Sequence, residues 1–448
     1  MSTRRFLAVA GALTVAVSLA ACGGGSSGGG GGDHAGQTLQ VYLSKQSQYP
    51  DEQQQWMQRI KDEFRKKTGA DVEFETYTSA SEEQQKIQTS VVSGQGPDIY
   101  EIGTTFTPTA YSSGAFLKLG DEQWNAVGGR DRFVPSTLAM SGPDEADQIG
   151  VPFSSIPFVL VYNTQMFAAA GIDGPPSTWD ELVADAKKLT QGDTYGLAMD
   201  YKDPFSPWKY IWMFAQQYGN PLVQGTTARI DDPTVARAYD AYFGFLTKDK
   251  IVNPDAVNWA SADATANFAS GKSAMFTMTS AGVIPTLAKS PVASSYAFAP
   301  MPTVPPGESA LPAGGVPATT IVSGQNLVVA SYSTQQDLAL QYVDLVTSEA
   351  EQQHFSEVFG VLPVNAAAAD AVASGKEQYA PVLEAGKQAK PTPFTGAWSE
   401  IQLGLTNITV QALAGLSSGS VPPDQVQRQL TELQQTAQTA VDKAAAAR

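Results

Sequence analysis

From Thr38 onward two hydrophobic periods alternate, and that alternation leaves few architectures open. Thr38-Leu39-Gln40-Val41-Tyr42-Leu43 alternates polar and apolar residues, the period of a strand. Trp56, Ile60 and Phe64 then recur at helical spacing on one apolar face, and Gly69 supplies a C-terminal stop. Val72-Glu73-Phe74-Glu75-Thr76 is a second strand pattern. Ser79-Ala80-Ser81-Glu82 reads as a capping box for a helix that turns Ile87 and Val91 inward and stops at Gly94. Residues 97–102 read as a third strand. Such alternation predicts a parallel or mixed sheet with helices on its faces.

The pattern restarts near 150–160. Val159-Leu160-Val161-Tyr162 is a buried strand, and a short helix follows, ending at Gly171. Thr178-Trp179-Asp180-Glu181 is a second capping box, with Leu182, Ala186 and Leu189 on one helix face. Residues 194–199 return to strand, 302–318 form a Pro/Gly-rich loop, and 321–330 resume an apolar strand. Residues 425–446 predict a terminal helix with Val426, Leu430 and Leu433 inward. A chain of 448 residues exceeds one compact core, so two lobes are expected.

The inventory of reactive side chains narrows function. Lys and Arg number 28 against 44 Asp and Glu, a net charge of -16. That balance argues against nucleic acid, whose binding rests on neutralising phosphates, and against docking on anionic lipid through a basic face. One Cys and two His leave no internal disulfide, no CxxC zinc site and little room for imidazole catalysis. His354 sits in a polar helical stretch and is expected on a solvated surface, while His34 falls in a linker.

The N-terminus indicates where the chain works. Arg4 and Arg5 precede a weakly polar to apolar run over 6–21, shorter than the ~20 residues that span a bilayer. Basic start, apolar stretch and small residues describe a secretory signal over 1–21. Leu19-Ala20-Ala21-Cys22 resembles the bacterial lipobox, which implies lipidation of Cys22 as the mature N-terminus. The tract that follows, to residue 37, is nearly all Gly and Ser at first, a flexible tether reaching roughly 20 Å.

Catalytic motifs fail one by one. Phe268-Ala269-Ser270-Gly271-Lys272-Ser273 resembles the end of a P-loop, but Ala266 stands where the first Gly must be. No G-x-S-x-G elbow, H-E-x-x-H or EF-hand loop occurs. A glycosidase needs only two carboxylates, so an anchored glycoside hydrolase stays open as a rival. Asp200 and Asp203 are the pair to test, with a solvated turn before Pro204 as their expected setting. Phe205, Trp208, Tyr210, Trp212, Phe214 and Tyr218 cluster tightly. One helix face there serves a core and the other can face a cleft, where indole rings suit the C–H face of a sugar.

Four stretches resemble the extracellular solute-binding proteins of bacterial ABC importers, particularly the carbohydrate-binding group. They are Gly94-Gln95-Gly96-Pro97-Asp98-Ile99 with Gly114-Ala115-Phe116-Leu117; Val151-Pro152-Phe153-Ser154-Ser155 with Leu160-Val161-Tyr162-Asn163 and Ser177-Thr178-Trp179-Asp180-Glu181-Leu182; Phe268 to Met275; and Gly324-Gln325-Asn326-Leu327 with Gly360-Val361-Leu362-Pro363-Val364-Asn365. The resemblance implies a two-lobe, periplasmic-binding-protein-like α/β fold of the class II type. Each lobe is a mixed sheet flanked by helices, and ligand lies in the cleft between them. It places lobe one at 38–153 and 301–347 and lobe two at 158–300 and 351–448. The hinge then lies near 154–157, Pro300 and Ser348.

The same resemblance implies the site. Thr104, Thr105 and Phe106 follow the third strand, and Ser154 and Ser155 lie at the crossing. Trp208 and Trp212 line lobe two, and Thr279 and Ser280 follow a strand. Gly324 and Gln325 match a Gly-Gly whose backbone approaches ligand, Trp398 stands at a sugar-stacking position, and Gln46 and Tyr49 are weaker members. The implied function is a lipid-anchored binding component that passes a sugar or oligosaccharide to the permease subunits. A monomer without cofactor or metal is expected. A glycerophosphodiester is the alternative ligand, disfavoured because the Arg that such relatives carry near the C-terminal helices has no counterpart around 398–403.

Overall fold

The structure, a computed structural model, describes residues 34–375 and 377–446. The signal, Cys22 and most of the tether lie outside the described residues. In chain order the elements that frame the site begin with β1 (Thr38–Ser44), α1 (Pro50–Thr68), β2 (Asp71–Tyr77), α2 (Ala80–Ser93), β3 (Ile99–Gly103) and α3 (Thr107–Ser113). Next come β4 (Val151–Ser155), β5 (Val159–Asn163), α4 (Trp179–Leu189), β6 (Tyr195–Ala198), α5 (Pro207–Gln217) and α6 (Pro233–Thr247). Then follow β7 (Ser273–Thr279), β8 (Tyr296–Ala299), β9 (Gly324–Val329), α7 (Gln336–Val346), α8 (Glu349–Phe359), α9 (Trp398–Ser418) and α10 (Pro423–Ala446).

Local chemistry explains the ends of these elements. Trp56, Ile60 and Phe64 are buried along α1, and Gly69 caps it at φ 78°, a conformation Gly adopts without a Cβ penalty. Thr178 Oγ1 accepts from the Glu181 amide at 3.1 Å, and the Glu181 carboxylate accepts from the Thr178 amide at 3.1 Å. This reciprocal box opens α4. Ser79 caps α2 through the Glu82 amide.

The strands form two main sheets. The first runs β2-β1-β3-β9-β4, with β1 parallel to β2 and β3, and β9 antiparallel to β3 and β4. The second runs β8-β5-β7-β6, with β6 parallel to β7 and the other pairs antiparallel. Helices cover both, so the molecule is two mixed α/β lobes, each with its own core.

The cores correct two expected boundaries. Met301, Ala318 and Ile321 pack into the second lobe, although 301–347 was assigned to lobe one. Gln217 Nε2 holds this segment by donating to the Pro302 and Ala318 carbonyls, both at 2.8 Å. Conversely, Phe355, Phe359 and Val364 pack into the first lobe, although 351–448 was assigned to lobe two. Phe355 lies 5.3 Å from Trp56 and 4.9 Å from Phe153, ring to ring. The chain therefore changes lobes after Ile321 and between Val364 and Tyr379, not at Pro300 and Ser348. The first passage stays between β4 and β5.

Candidate functional site

Three chain passages meet where the lobes adjoin. Ser155 pairs with Gly324 on one side and Leu362 on the other. The Ile156 amide donates to the Ser323 carbonyl at 2.9 Å, and the Phe158 amide donates to Thr320 Oγ1 at 2.8 Å. Gly324 has φ 146°, and a Cβ there would strike the Ser154 carbonyl. Only Gly lets β9 approach β4 so closely. A narrow polar crevice at this junction is lined by Thr104, Ser154, Ser155, Ser323 and Asn326. Thr104 Oγ1 donates to the Val322 carbonyl at 3.0 Å, which ties the loop after β3 to the second passage.

Contacts also bridge the lobes away from the passages. Tyr49 Oη donates to the Gly282 carbonyl at 2.6 Å, and its ring lies edge-on to Phe359. Thr109 Oγ1 lies 2.8 Å from Ser399 Oγ and donates to the Gly396 carbonyl at 3.1 Å. These bonds bring α3 against the first turn of α9.

The carboxyl ends of β1 and β3 carry an acidic pair. Glu101 accepts from Ser44 Oγ, and Glu83 Oε1 accepts from the Gly103 amide at 3.3 Å. Both carboxyl groups are buried. Burial pushes Glu83 up to about 8, with the neighbouring Glu101 adding to the rise, and pushes Glu101 up to about 7. In open α/β sheets this strand end is where ligands collect.

The expected site residues divide. Thr104, Ser154, Ser155 and Gly324 gather at the junction, and Gln325 stands next to them with Oε1 enclosed and unpartnered. Gln46 is half-buried, its amide donating to Gln53 Oε1, and Thr105 is half-buried in the loop after β3. Thr279 is buried opposite Val159, and Ser280 Oγ accepts from the Gly282 amide as a helix cap. Tyr49 spends its hydroxyl on protein, not on an open cleft.

Three aromatic expectations need correction. Phe106 packs among Tyr77, Ile87 and Ile102 in the first lobe, so its ring does not present to a cleft. Trp212 is 1% exposed inside the second core, because its turn of α5 faces α6 and α9. Trp398 is fully buried there too, edge-on to Trp208 at 5.7 Å. Trp208, at the start of α5, is 4% exposed and is the indole nearest the surface of this pair.

Asp200 and Asp203 do not form a solvated turn; both are buried. Asp203 braces the loop, accepting from the Phe205 and Ser261 amides at 2.8 and 3.2 Å. Burial holds the Asp200 carboxyl well above the usual range, and Asp203 adds to this. Sequence reasoning passed over Lys209, Glu83 and Glu101. Only the position of Lys209 within the aromatic run signalled it. Among the described residues no group of three or more His, Cys, Asp or Glu side chains is arranged to hold a metal, and no helix is long and apolar enough to cross a membrane.

Comparison with known proteins gives this architecture a family. The diacetylchitobiose binding protein DasA of Streptomyces coelicolor is 28% identical over 435 residues, covering 94% of this chain and 96% of that one. The sn-glycerol-3-phosphate-binding periplasmic protein UgpB of Yersinia pestis is 30% identical over 135 residues, 29% of this chain and 30% of that one. Among solved structures, maltose-bound MalE3 of T. maritima superposes with a TM-score of 0.74 at 18% identity, covering 89% of this chain and 99% of that one. The model of the bacterial extracellular solute-binding protein family matches residues 47–353, well over half the sequence. With two lobes, three passages between them and a polar junction where they meet, the chain belongs to the bacterial extracellular solute-binding protein family.

Proposed function

We propose that this protein captures a sugar or oligosaccharide between its lobes and hands it to the permease of an ABC importer, held at the membrane by a lipid on Cys22. The observation that carries the reading is similarity to DasA along nearly the whole of both chains. The chemistry at the junction supports it. Ser and Thr hydroxyls and the Gln325 amide suit hydrogen bonds with sugar hydroxyls, and Trp208 is the indole of the second lobe set against them. Of the expected ligand residues we retain Gln46, Thr104, Thr105, Ser154, Ser155, Trp208, Thr279, Ser280, Gly324 and Gln325. Hinge closure about the three passages traps the solute, and the protein acts as a monomer without making or breaking bonds.

A thermal-shift screen tests this. N,N′-diacetylchitobiose, maltose and glycerol 3-phosphate are the first probes. A ligand held only by the folded state adds about 2.7 kcal/mol at 100-fold saturation. The reading expects a rise in melting temperature with a sugar, and the sugar recovered intact. A second reading, a glycerophosphate ester, draws on the partial match to UgpB. A rise with glycerol 3-phosphate alone replaces the sugar by that ester, and hydrolysis of the sugar by pure protein replaces binding by catalysis.

A further inference from the structure

Lys209 is the one cation in the first turn of α5, and its surroundings are unusual. Its Nζ stands 4.4 Å from the centroid of the Phe158 ring. This ammonium makes no hydrogen bond and has no carboxylate within 4.0 Å among the described residues, although its three N–H donors need partners. The side chain is half-buried, not waving in solvent. Phe158 fixes where this happens, because its amide is bonded to Thr320 Oγ1 at the crossing between lobes. Trp208, the preceding residue, makes the edge-to-face contact with Trp398, whose helix meets the first lobe through Ser399. The ammonium therefore sits beside the crossing between the lobes.

Asp200 supplies the complement. It is 2% exposed, and its Oδ1 is wholly enclosed with no partner. Leaving such an atom unpaired costs the full desolvation of the group, so it calls for a donor that the polypeptide does not provide. Asp203 lies beyond bonding distance of the Lys209 ammonium, and its two oxygens accept from backbone amides.

We propose that Asp200 and Lys209 form a polar subsite of the interlobe site, with Lys209 donating to an oxygen of an uncharged polyhydroxyl solute and Asp200 Oδ1 accepting one of its hydroxyl protons. The proposal rests on the interlobe-capture reading above and specifies its ligand as neutral. Burial pushes the Lys209 ammonium down while Asp203 and Asp200 pull it back up, so the ammonium is already offset by acidic neighbours. An anion placed on it would face the Asp203 carboxylate. A neutral ring with vicinal hydroxyls meets donor and acceptor at once.

Two arms test it. In the first, the ligand-free protein is acylated with limiting acetic anhydride and Lys209 modification is read by mass spectrometry, with and without N,N′-diacetylchitobiose, maltose or glycerol 3-phosphate. Labelling in the free protein and protection by a sugar are expected. In the second, titration calorimetry compares wild type with Lys209→Met and Asp200→Asn. Loss of the charge-assisted bond from Lys209 should weaken sugar binding roughly 10- to 100-fold, and loss of the bond to Asp200 up to roughly 10-fold. Lys209→Met, which keeps the apolar stem on Phe158, should leave the melting temperature near wild type. A wild type that binds sugar and a Lys209→Met that binds equally well overturn the subsite alone, as does a Lys209 that resists acylation in the free protein. Protection by glycerol 3-phosphate and not by sugar overturns the neutral-ligand assignment. A wild type that binds none of the probes overturns the capture reading and takes the subsite with it.

Discussion

The two lobes bury carboxyl groups in opposite ways. The first lobe brings two carboxyls, Glu83 and Glu101, to the carboxyl ends of β1 and β3 and satisfies them with Ser44 and the Gly103 amide. The second brings aromatic rings, with Trp208, Tyr210 and Trp212 in one helix, and leaves Asp200 Oδ1 enclosed without a partner, while enclosed indole N–H groups occur in both lobes, at Trp56 and Trp124 in the first and Trp212 and Trp398 in the second. A satisfied network fixes a framework, whereas enclosed unpaired atoms mark either stored cost or a waiting ligand. The first lobe therefore holds its buried carboxyls in a bonded pair, and the second packs its buried carboxyl among aromatic rings.

The sharpest way to break that contrast is Trp398→Ala. The ring is fully buried, so its loss should cost about 3–5 kcal/mol in urea denaturation. If stability is kept and only sugar binding falls, the ring belongs to the cleft and the division of the aromatic helices is wrong. The next test addresses the acidic pair. Unfolded Glu titrates near 4.5, whereas Glu101 and Glu83 sit up at about 7 and about 8 in the fold. The folded state therefore binds the proton more tightly. The stability this confers is fully present below pH 4.5 and is lost as pH rises through 7 to 8. A melting series from pH 4.5 to 8.5 should show a decline of order a few kcal/mol that a Glu83→Gln/Glu101→Gln protein largely lacks. An unchanged slope would mean the carboxyls stay charged and the framework reading of the first lobe fails. The smallest effect is expected at Tyr49→Phe, which removes one bond to the Gly282 carbonyl and should cost about 1 kcal/mol. Under the account that loss falls on the contact between lobes, so ligand affinity should drop while neither core softens.

What the sequence made legible was local. Trp56, Ile60 and Phe64 mark a helix face, and Thr178 with Glu181 marks its neighbour's start, because i, i+3 and i, i+4 relations need no knowledge of the rest of the chain. Which core a helix joins is a long-range fact. Nothing near Phe355 says that its ring will lie between Trp56 and Phe153, and so α8 was expected in the wrong lobe. The site divides similarly. Ser154, Ser155, Thr104 and Gly324 could be placed together because family motifs carry their order. Trp208 and Trp212 share a helix face, and the second core buries both, Trp208 against Trp398 of α9. Lys209 was invisible for a related reason. A lysine after a tryptophan reads as a solvated charge until Phe158 is brought beneath it from the crossing between β4 and β5.

The central claim is that a neutral sugar is held at the junction against the second lobe's indole. Titration calorimetry of N,N′-diacetylchitobiose into wild type and Trp208→Ala tests it most directly. The account predicts one site per chain in the wild type, and in Trp208→Ala, titrated under conditions where circular dichroism shows it folded, an affinity roughly 10-fold or more weaker. Equal affinity in the two proteins, or binding of glycerol 3-phosphate in place of any sugar, would contradict it.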